Sequence, residues 1–270
     1  MLPRKFACNA DRACCFFALA AMILAAPLAK AGEPRDFNGD GKSDIVWSNS
    51  VTGEKLMWLM NGGTILGGGT LLLDPDWSVL RYGDFDGNGK TDLIWHDAST
   101  NQIILWLMNG AAFAGGVILL DNPIWSIVAV GDFNNDGKAD IVWRHTSGIT
   151  ALWLMNGSAF ADGRGLNSYP WDIVGIDDLN GDGKSDILWH NSITGETAAW
   201  LMDGTTLMAG GGLLPAPWQI TRTGDFNGDG KADILFTNPV THDKVMWLMN
   251  GLSPSSGYLL SRDPNWSILP

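Results

Sequence analysis

Five nine-residue segments of this chain place acidic side chains at regular intervals within a glycine-rich frame. Asp or Asn occupies positions 1, 3 and 5, Asp occupies position 9, and a Gly-Lys pair ends at position 7. Oxygen-bearing side chains that alternate in a tight loop converge on one point, as hard cations require. The segments are Asp36–Asp44 (DFNGDGKSD), Asp84–Asp92 (DFDGNGKTD), Asp132–Asp140 (DFNNDGKAD), Asp178–Asp186 (DLNGDGKSD) and Asp225–Asp233 (DFNGDGKAD).

The donor set favours calcium, with about one ion per loop and up to five in all. Calcium accepts about six to eight oxygens in a flexible cage, magnesium prefers a tight octahedron with retained waters, and zinc would need His or Cys. In each predicted set, Lys contributes its backbone carbonyl. The sets are Asp36, Asn38, Asp40, Lys42 and Asp44; Asp84, Asp86, Asn88, Lys90 and Asp92; Asp132, Asn134, Asp136, Lys138 and Asp140; Asp178, Asn180, Asp182, Lys184 and Asp186; and Asp225, Asn227, Asp229, Lys231 and Asp233.

The charge of the loops supports a bound cation. Three carboxylates and one Lys give each loop a net charge of -2, so the five loops carry -10 of the total -12. Without a counter-ion, carboxylates within one turn would repel and raise each other's pKa. The alternative is a set of Asx turns with solvated charges and no metal. On the calcium interpretation, Asp44→Ala is expected to remove one site and not to unfold the chain.

The loops recur at intervals of 46 to 48 residues, and two further markers keep a constant phase with them. Each repeat predicts four short strands, because its apolar runs are separated by Thr-Gly and Asn-Gly turns. The first marker is W-L-M-[N/D]-G, at Trp58, Trp106, Trp153, Trp200 and Trp247; the second is W-[S/D/Q]-[I/V], at Trp77, Trp125, Trp171, Trp218 and Trp266.

This organisation predicts an all-β fold, a β-propeller of four-stranded blades. The run Leu56–Met60 is apolar on both faces, so other sheets should cover both sides of it, as they do in a ring of blades. The first repeat begins at its acidic loop, and the last ends with the extra run Trp266–Leu269. We therefore predict five blades, closed by the C-terminal strand pairing into the first blade. An open arc completed by a second chain is the alternative.

The first 31 residues are predicted to be a signal peptide, and residues 32–270 a single five-repeat propeller domain. Arg4, Lys5 and Arg12 form a positive leader, and an apolar run from Ala13 to Leu28 follows it. The small-x-small pattern Ala29-Lys30-Ala31 comes directly after this run, so cleavage is expected after Ala31. A retained membrane anchor is the alternative. The three cysteines all lie in this leader, so the mature chain would have no disulfide. We expect a secreted or otherwise extracytoplasmic protein, with no membrane span in the mature chain.

The motif D-F-N-G-D-G-K-x-D, with the following I-x-W, T-G and W-L-M-N-G, resembles the FG-GAP-like or VCBS repeats of bacterial secreted proteins. It is also similar to the calcium loops of integrin α-subunit propellers and of some fungal propeller lectins. The resemblance extends from Asp36 to the C-terminus. It implies a calcium-stiffened β-propeller, although integrin and lectin propellers usually have seven blades and five repeats are present here.

Catalysis is not predicted, and no catalytic residue is assigned. None of the repeats contains a distinctive Ser/His/Asp arrangement, an H-E-x-x-H or a G-x-S-x-G motif. A hydrolase is therefore the least favoured alternative. The net charge of -12 and a pI of about 4.5 argue against nucleic acid as a partner.

The favoured function is a non-catalytic binding or adhesion module for an extracellular protein or glycan. Most of the 14 Trp residues are expected to fill the spaces between blades. Polar residues beside these Trp leave open a carbohydrate-binding lectin with sites between blades. The candidate ligand-binding residues are His96, Arg144, His145 and His190.

Overall fold

The computed structural model describes residues 35–166 and 170–268, and these ranges contain strands and turns but no helix. The predicted signal peptide, its cysteines and the last two residues lie outside the described residues. Within each sheet, strands that follow one another in the sequence pair as antiparallel hairpins. The strands are β1 (Ile45–Ser48), β2 (Glu54–Asn61), β3 (Thr64–Leu73), β4 (Trp77–Gly83), β5 (Asp92–Asp97), β6 (Gln102–Asn109), β7 (Ala112–Asp121), β8 (Trp125–Gly131), β9 (Asp140–His145), β10 (Thr150–Asn156), β11 (Ala159–Gly165), β12 (Trp171–Asp177), β13 (Asp186–Asn191), β14 (Thr197–Asp203), β15 (Thr206–Gly212), β16 (Gln219–Gly224), β17 (Asp233–Thr237), β18 (Lys244–Asn250) and β19 (Ser253–Ser261).

These strands form five antiparallel sheets, which confirms the all-β prediction. The first sheet has three strands, in the order β1-β2-β3. The other four have four strands each, namely β4 to β7, β8 to β11, β12 to β15 and β16 to β19, in sequence order across the sheet. Asn-Gly turns connect the last two strands of most sheets, and Gly62 and Gly110 adopt the positive φ angles that such turns need.

The first strands of neighbouring four-stranded sheets lie side by side, since β4 contacts β8, β8 contacts β12 and β12 contacts β16. Strands β4, β8 and β12 line a cavity of about 760 Å³. The half-buried Arg81 on β4 links two of these strands, because its guanidinium donates to the carbonyls of Ile127 (2.8 Å) and Val128 (3.3 Å). Burial lowers the pKa of Arg81 to about 10.

The core lies between neighbouring sheets and is rich in tryptophan, as the sequence predicts. Trp95, Trp143 and Trp189 are buried, each on the second strand of its sheet. Each contacts the Trp of the next strand, at ring-centroid distances of 5.3, 5.1 and 4.9 Å respectively. The outer strands are Gly-rich for a steric reason. Gly116 lies opposite Trp106, and a Cβ there would be only 2.4 Å from the carbonyl oxygen of Leu105.

The first and fifth sheets each leave one face uncovered, and we call these two faces together the seam. Trp47 on β1 is 46% exposed, whereas Trp95 and Trp143 at the same repeat position are buried. Phe226 of the fifth acidic loop is 42% exposed, whereas Phe85 and Phe133 at the equivalent position are buried. In the described part of the chain, Trp47 and Phe226 therefore have no neighbouring sheet that covers them in the way that Trp95 and Phe85 are covered, although Trp47 contacts Trp58 of its own sheet.

The predicted closing strand is not formed by the described residues. Trp266 to Ile268 are outside any strand, and Trp266 is 70% exposed. The turn before them does match the earlier repeats, since Trp266 N–H bonds to the Asp263 carbonyl as Trp125 N–H bonds to the Asn122 carbonyl. Five closed blades stay a prediction, whereas five propeller-like sheets are observed.

Candidate metal centre

The acidic loops precede β1, β5, β9, β13 and β17, and all five turn sharply at positions 4 and 6. Gly39 and Gly41 of the first loop have φ angles of 76° and 80°. In the third loop Asn135 replaces Gly at position 4 with a φ of 58°, which Asn tolerates better than other side chains. The glycine pattern therefore sets the backbone path, as the sequence predicts.

Asp at position 1 holds the turn together by accepting backbone N–H groups. In the first loop Asp36 Oδ1 accepts from Gly39 (2.7 Å) and Asp40 (3.1 Å), and its Oδ2 accepts from Gly41 (2.6 Å). In the fifth loop the corresponding bonds lower the pKa of Asp225, with the Gly230 N–H as the largest cause. Position 1 therefore organises the backbone of the loop, a role separate from its predicted one as a cation ligand.

Asp at position 9 has a structural role that its place in the motif does not reveal. It joins the loop to the second strand of the hairpin that follows, because its two oxygens accept backbone N–H groups from different segments. In the third loop Asp140 Oδ2 accepts from Phe133 (2.9 Å) and Oδ1 accepts from Met155 (2.9 Å). The same pair of bonds recurs at Asp44, Asp92, Asp186 and Asp233.

Burial raises the pKa of several position-9 carboxyls. The pKa of Asp92 rises to about 6, and those of Asp140 and Asp186 rise to about 7. The backbone N–H bonds oppose this rise, and neighbouring loop carboxylates add to it. A buried carboxylate beside other carboxylates is an environment that a cation would stabilise in its charged form.

The second loop brings three carboxylates together. Oxygens of Asp84, Asp86 and Asp92 lie within 4.8 Å of one another. These donors are all oxygens, so they fit a hard cation such as calcium and do not suit zinc. This loop differs from the others in having Asp at position 3 and Asn at position 5.

Position 3 is Asn in the other loops, and in the third, fourth and fifth loops its side chain contacts the position-5 carboxylate. Asn134 Nδ2 donates to Asp136 Oδ2 at 3.2 Å, and equivalent bonds of 3.1 Å join Asn180 to Asp182 and Asn227 to Asp229. Positions 3 and 5 therefore lie close together in these loops, as the predicted ligand set requires.

The Lys side chain at position 7 contacts the hairpin of its own sheet in the second, fourth and fifth loops, whereas Lys42 and Lys138 lie beside the position-5 Asp. Lys90 bonds to Asn109, Lys184 Nζ lies 2.6 Å from Asp203 Oδ1, and Lys231 Nζ lies 2.9 Å from Asn250 Oδ1. The hydrogen bond that Lys184 donates to Asp203 raises the pKa of Lys184. These contacts involve only the Lys ammonium group. The backbone carbonyl of position 7, which is the predicted ligand atom, takes no part in them.

The four predicted ligand-binding residues are distributed over three sheets. His96, Arg144 and His190 take the same register on β5, β9 and β13, and all four are partly buried. These three residues lie four positions along the strand from the position-9 Asp, roughly 13 Å away at about 3.3 Å per residue, and His145 lies one position further. They therefore belong to the opposite end of the sheets from the acidic loops.

Arg144 and His145 already have partners within the fold. Arg144 donates to Asp172 Oδ1 (2.6 Å) and to the Trp171 carbonyl (2.5 Å), which ties the third sheet to the fourth. The His145 ring contacts the edge of Trp125 at a centroid distance of 4.9 Å. Arg144 thus makes contacts between two sheets, and His145 makes a contact within its own sheet, to the paired strand β8.

Sequence reasoning missed the backbone role of the position-9 Asp and the burial of position 2. One signal was available, since position 2 is Phe or Leu in every loop although the surrounding residues are polar. Phe37, Phe85, Phe133 and Leu179 are fully buried. An apolar residue kept inside an acidic loop indicates that the loop packs against a neighbouring sheet.

The five repeated antiparallel sheets, each carrying one acidic loop, define a repeat protein of the β-propeller class. The chain belongs to the FG-GAP-like repeat family, whose model matches residues 36–95, 84–143 and 178–236. This match confirms the resemblance predicted from the loop motif. No curated protein matches the chain.

Solved structures with a similar fold are distant in sequence. Prolyl oligopeptidase B from Galerina marginata is 11% identical at a TM-score of 0.52, over 85% of this chain and 34% of that one. A coronin WD40 domain from Toxoplasma gondii is 11% identical with a TM-score of 0.48, and the match covers 84% of this chain and 59% of that one. The C-terminal WD40 domain of Sif2 is 15% identical with a TM-score of 0.42, and the match covers 78% of this chain and 53% of that one. The chain thus spans between a third and three fifths of these proteins, and the similarity shows the fold alone.

No helix within the described ranges is long and apolar enough to cross a bilayer.

Proposed function

We propose that this protein is a calcium-stabilised, non-catalytic binding module that acts outside the cytoplasm. The observation that supports the proposal most directly is the convergence of Asp84, Asp86 and Asp92 within 4.8 Å, in a loop whose motif recurs in every repeat. The ions would be held by positions 1, 3, 5 and 9 and by the position-7 carbonyl. They would offset the repulsion between carboxylates and stiffen the loops in a mature chain without disulfides.

Calcium should therefore raise the melting temperature of the mature chain by about 10 °C or more, because ligands that bind only the native state stabilise it at every occupied site. The measurement is thermal unfolding followed by circular dichroism, in chelator and in millimolar calcium. Magnesium at equal ionic strength is the control and should produce a much smaller shift. Native mass spectrometry should then count up to five bound calcium ions. Identical melting curves in chelator and in calcium would refute the proposal.

A protein partner fits the exposed surface better than a glycan does. The outer strands carry an exposed apolar side chain at one repeated register, at Ile65, Phe113, Phe160 and Leu207. Large apolar and aromatic side chains of this kind are enriched in protein interfaces. Trp106, by contrast, packs between Trp95 and Phe113, at ring-centroid distances of 5.3 and 5.1 Å, so its ring makes aromatic contacts within the fold.

The lectin alternative can be tested directly with the mature chain. A glycan array probed in saturating calcium should show no binding if the partner is a protein. Reproducible binding of one sugar class, lost on replacing Trp106, would favour the lectin instead.

Closure of the ring is part of the same proposal, since a five-bladed ring would cover the seam. Closure predicts that Phe226→Ala lowers the free energy of unfolding by about 3–5 kcal/mol, as expected for truncation of a buried Phe. Phe133→Ala is the matched control, because Phe133 takes the same loop position and is fully buried. Both variants would be measured by urea unfolding. A Phe226→Ala effect well below that of Phe133→Ala would indicate that the seam stays open.

A further inference from the structure

The acidic loops are hydrogen-bonded to one another in series. The position-1 carbonyl of each loop accepts the position-8 N–H of the next loop along the chain. The four bonds are Thr91 N to Asp36 O (2.7 Å), Ala139 N to Asp84 O (2.6 Å), Ser185 N to Asp132 O (2.7 Å) and Ala232 N to Asp178 O (2.6 Å). All are short for an N–H···O bond, so neighbouring loops are held at a fixed spacing.

Each of these bonds joins two peptide groups that also face the predicted cation ligands. On the donor side, the Ala139 N–H belongs to the same peptide group as the Lys138 carbonyl, the position-7 ligand of the third loop. On the acceptor side, the Asp84 carbonyl shares a peptide group with the Phe85 N–H, which donates to Asp92 Oδ2 at 2.8 Å. Asp92 is the position-9 ligand of the second loop. An unbroken path therefore runs from position 7 of one loop to position 9 of the loop before it.

A second bond holds the same segment in place. The position-2 carbonyl of each of the first four loops accepts the N–H of the hairpin Gly in the next sheet, as in Gly157 N to Phe85 O at 2.9 Å. The Lys at position 7 also packs across the preceding loop, and a Cβ added at Gly87 would lie 3.2 Å from Lys138 Cγ. Two consecutive peptide groups, between positions 1 and 2 and between positions 2 and 3, thus each accept a hydrogen bond from the following sheet.

We propose that cation binding is coupled between adjacent loops through this hydrogen-bond chain. The inference rests on the calcium role proposed above. Hydrogen bonds in a chain polarise one another, so a charge at the position-7 carbonyl strengthens the bond to the preceding loop. Fixing the position-7 peptide also orders the position-1 peptide of that loop before its own ion binds, which reduces the entropy lost on binding. The coupling is reciprocal, so each loop affects both of its linked neighbours.

The test removes one ion and measures the affinities of the remaining loops. Asp136→Asn leaves the third loop with two carboxylates, and its position-5 side chain is exposed, so the chain should fold normally. The glycines at position 6, labelled with ¹⁵N, give one amide resonance for each loop, at Gly41, Gly89, Gly137, Gly183 and Gly230. A calcium titration followed by NMR then yields one affinity per loop.

In Asp136→Asn we expect the second and fourth loops, which are linked to the third, to bind calcium at least about 5-fold more weakly. A factor of about 5 is the lower end of typical coupling between sites. The first and fifth loops should change much less. Asp229→Asn is the matched variant, with the same change at the same position of the fifth loop; it should weaken the fourth loop and spare the second and third. If all linked loops keep wild-type calcium affinity in both variants, the coupling proposal is wrong and the proposed calcium role stands. If no glycine resonance of the wild-type chain responds to millimolar calcium, the proposed calcium role fails as well.

Discussion

Replacing Asp140 by alanine should lower the free energy of unfolding by about 3–5 kcal/mol, because two buried N–H groups lose their acceptor and each unsatisfied donor costs about 1–3 kcal/mol. The carboxylate of Asp140 accepts the N–H of Phe133 at 2.9 Å and that of Met155 at 2.9 Å. Asp140, Phe133 and Met155 are all buried, so water cannot replace the lost acceptor without opening the core. The measurement is urea unfolding in calcium and in chelator.

The effect in chelator separates the backbone role of Asp140 from its predicted role as a calcium ligand. A ligand that served only the ion would matter in calcium alone. Asp136→Ala is the control, since its side chain is exposed and its loss removes a predicted ligand without leaving a buried donor unpaired. We expect Asp136→Ala to unfold like the wild type in chelator. A small effect of Asp140→Ala under the same condition would contradict the structural role.

This result would also revise the expectation for Asp44→Ala. The sequence suggests that this substitution removes one ion and spares the fold. In the structure Asp44 accepts the N–H of Phe37 at 2.8 Å and that of Met60 at 2.7 Å. The first sheet should therefore be destabilised as well.

The repeat made much of the fold predictable, because its markers reflect local requirements. Asn-Gly dipeptides specify hairpins wherever they occur, and a Trp at fixed phase between turns specifies a buried strand position. Trp95 and Trp143 accordingly lie in the core. The marker at Trp266 also predicts a closing strand, which the described residues do not form. How the last sheet meets the first depends on the angle between sheets and not on any one repeat.

The part of the candidate site that could not be predicted consists of backbone interactions. Residue types indicate which side chains offer oxygens, but the N–H groups that Asp140 accepts come from main-chain atoms distant in sequence. The bond between Ala139 and Asp84 joins residues of two repeats and depends on no side chain. Arg144 shows a related limit of sequence reasoning. Its charge suggests ligand binding, but its guanidinium donates to Trp171 and Asp172 within the fold.

Without calcium, the stability of the protein should fall as pH rises from about 4 to about 7. Burial raises the pKa of Asp92 to about 6 and those of Asp140 and Asp186 to about 7, from the ordinary aspartate value of 3.8. The folded state therefore holds more protons than the unfolded state across this interval, so deprotonation favours unfolding. The stabilisation from these protonated carboxyls is fully present below the unfolded pKa and is lost once pH exceeds the folded pKa.

Calcium should reverse the sign of this dependence, because the ion requires the deprotonated carboxylates. Melting temperatures of the calcium-free chain should drop by about 5–10 °C between pH 5 and pH 8, whereas in millimolar calcium they should stay level or rise over the same interval. The difference between the two curves then increases with pH and reports the competition between protons and calcium for the same oxygens. Asp140→Asn combined with Asp186→Asn provides the control, since removing two of the titrating groups should flatten the calcium-free curve. A calcium-free wild-type curve that rises between pH 5 and pH 8 would show that these carboxyls are ionised at little cost in the folded chain, and the buried acidic loops would then need no cation to be stable.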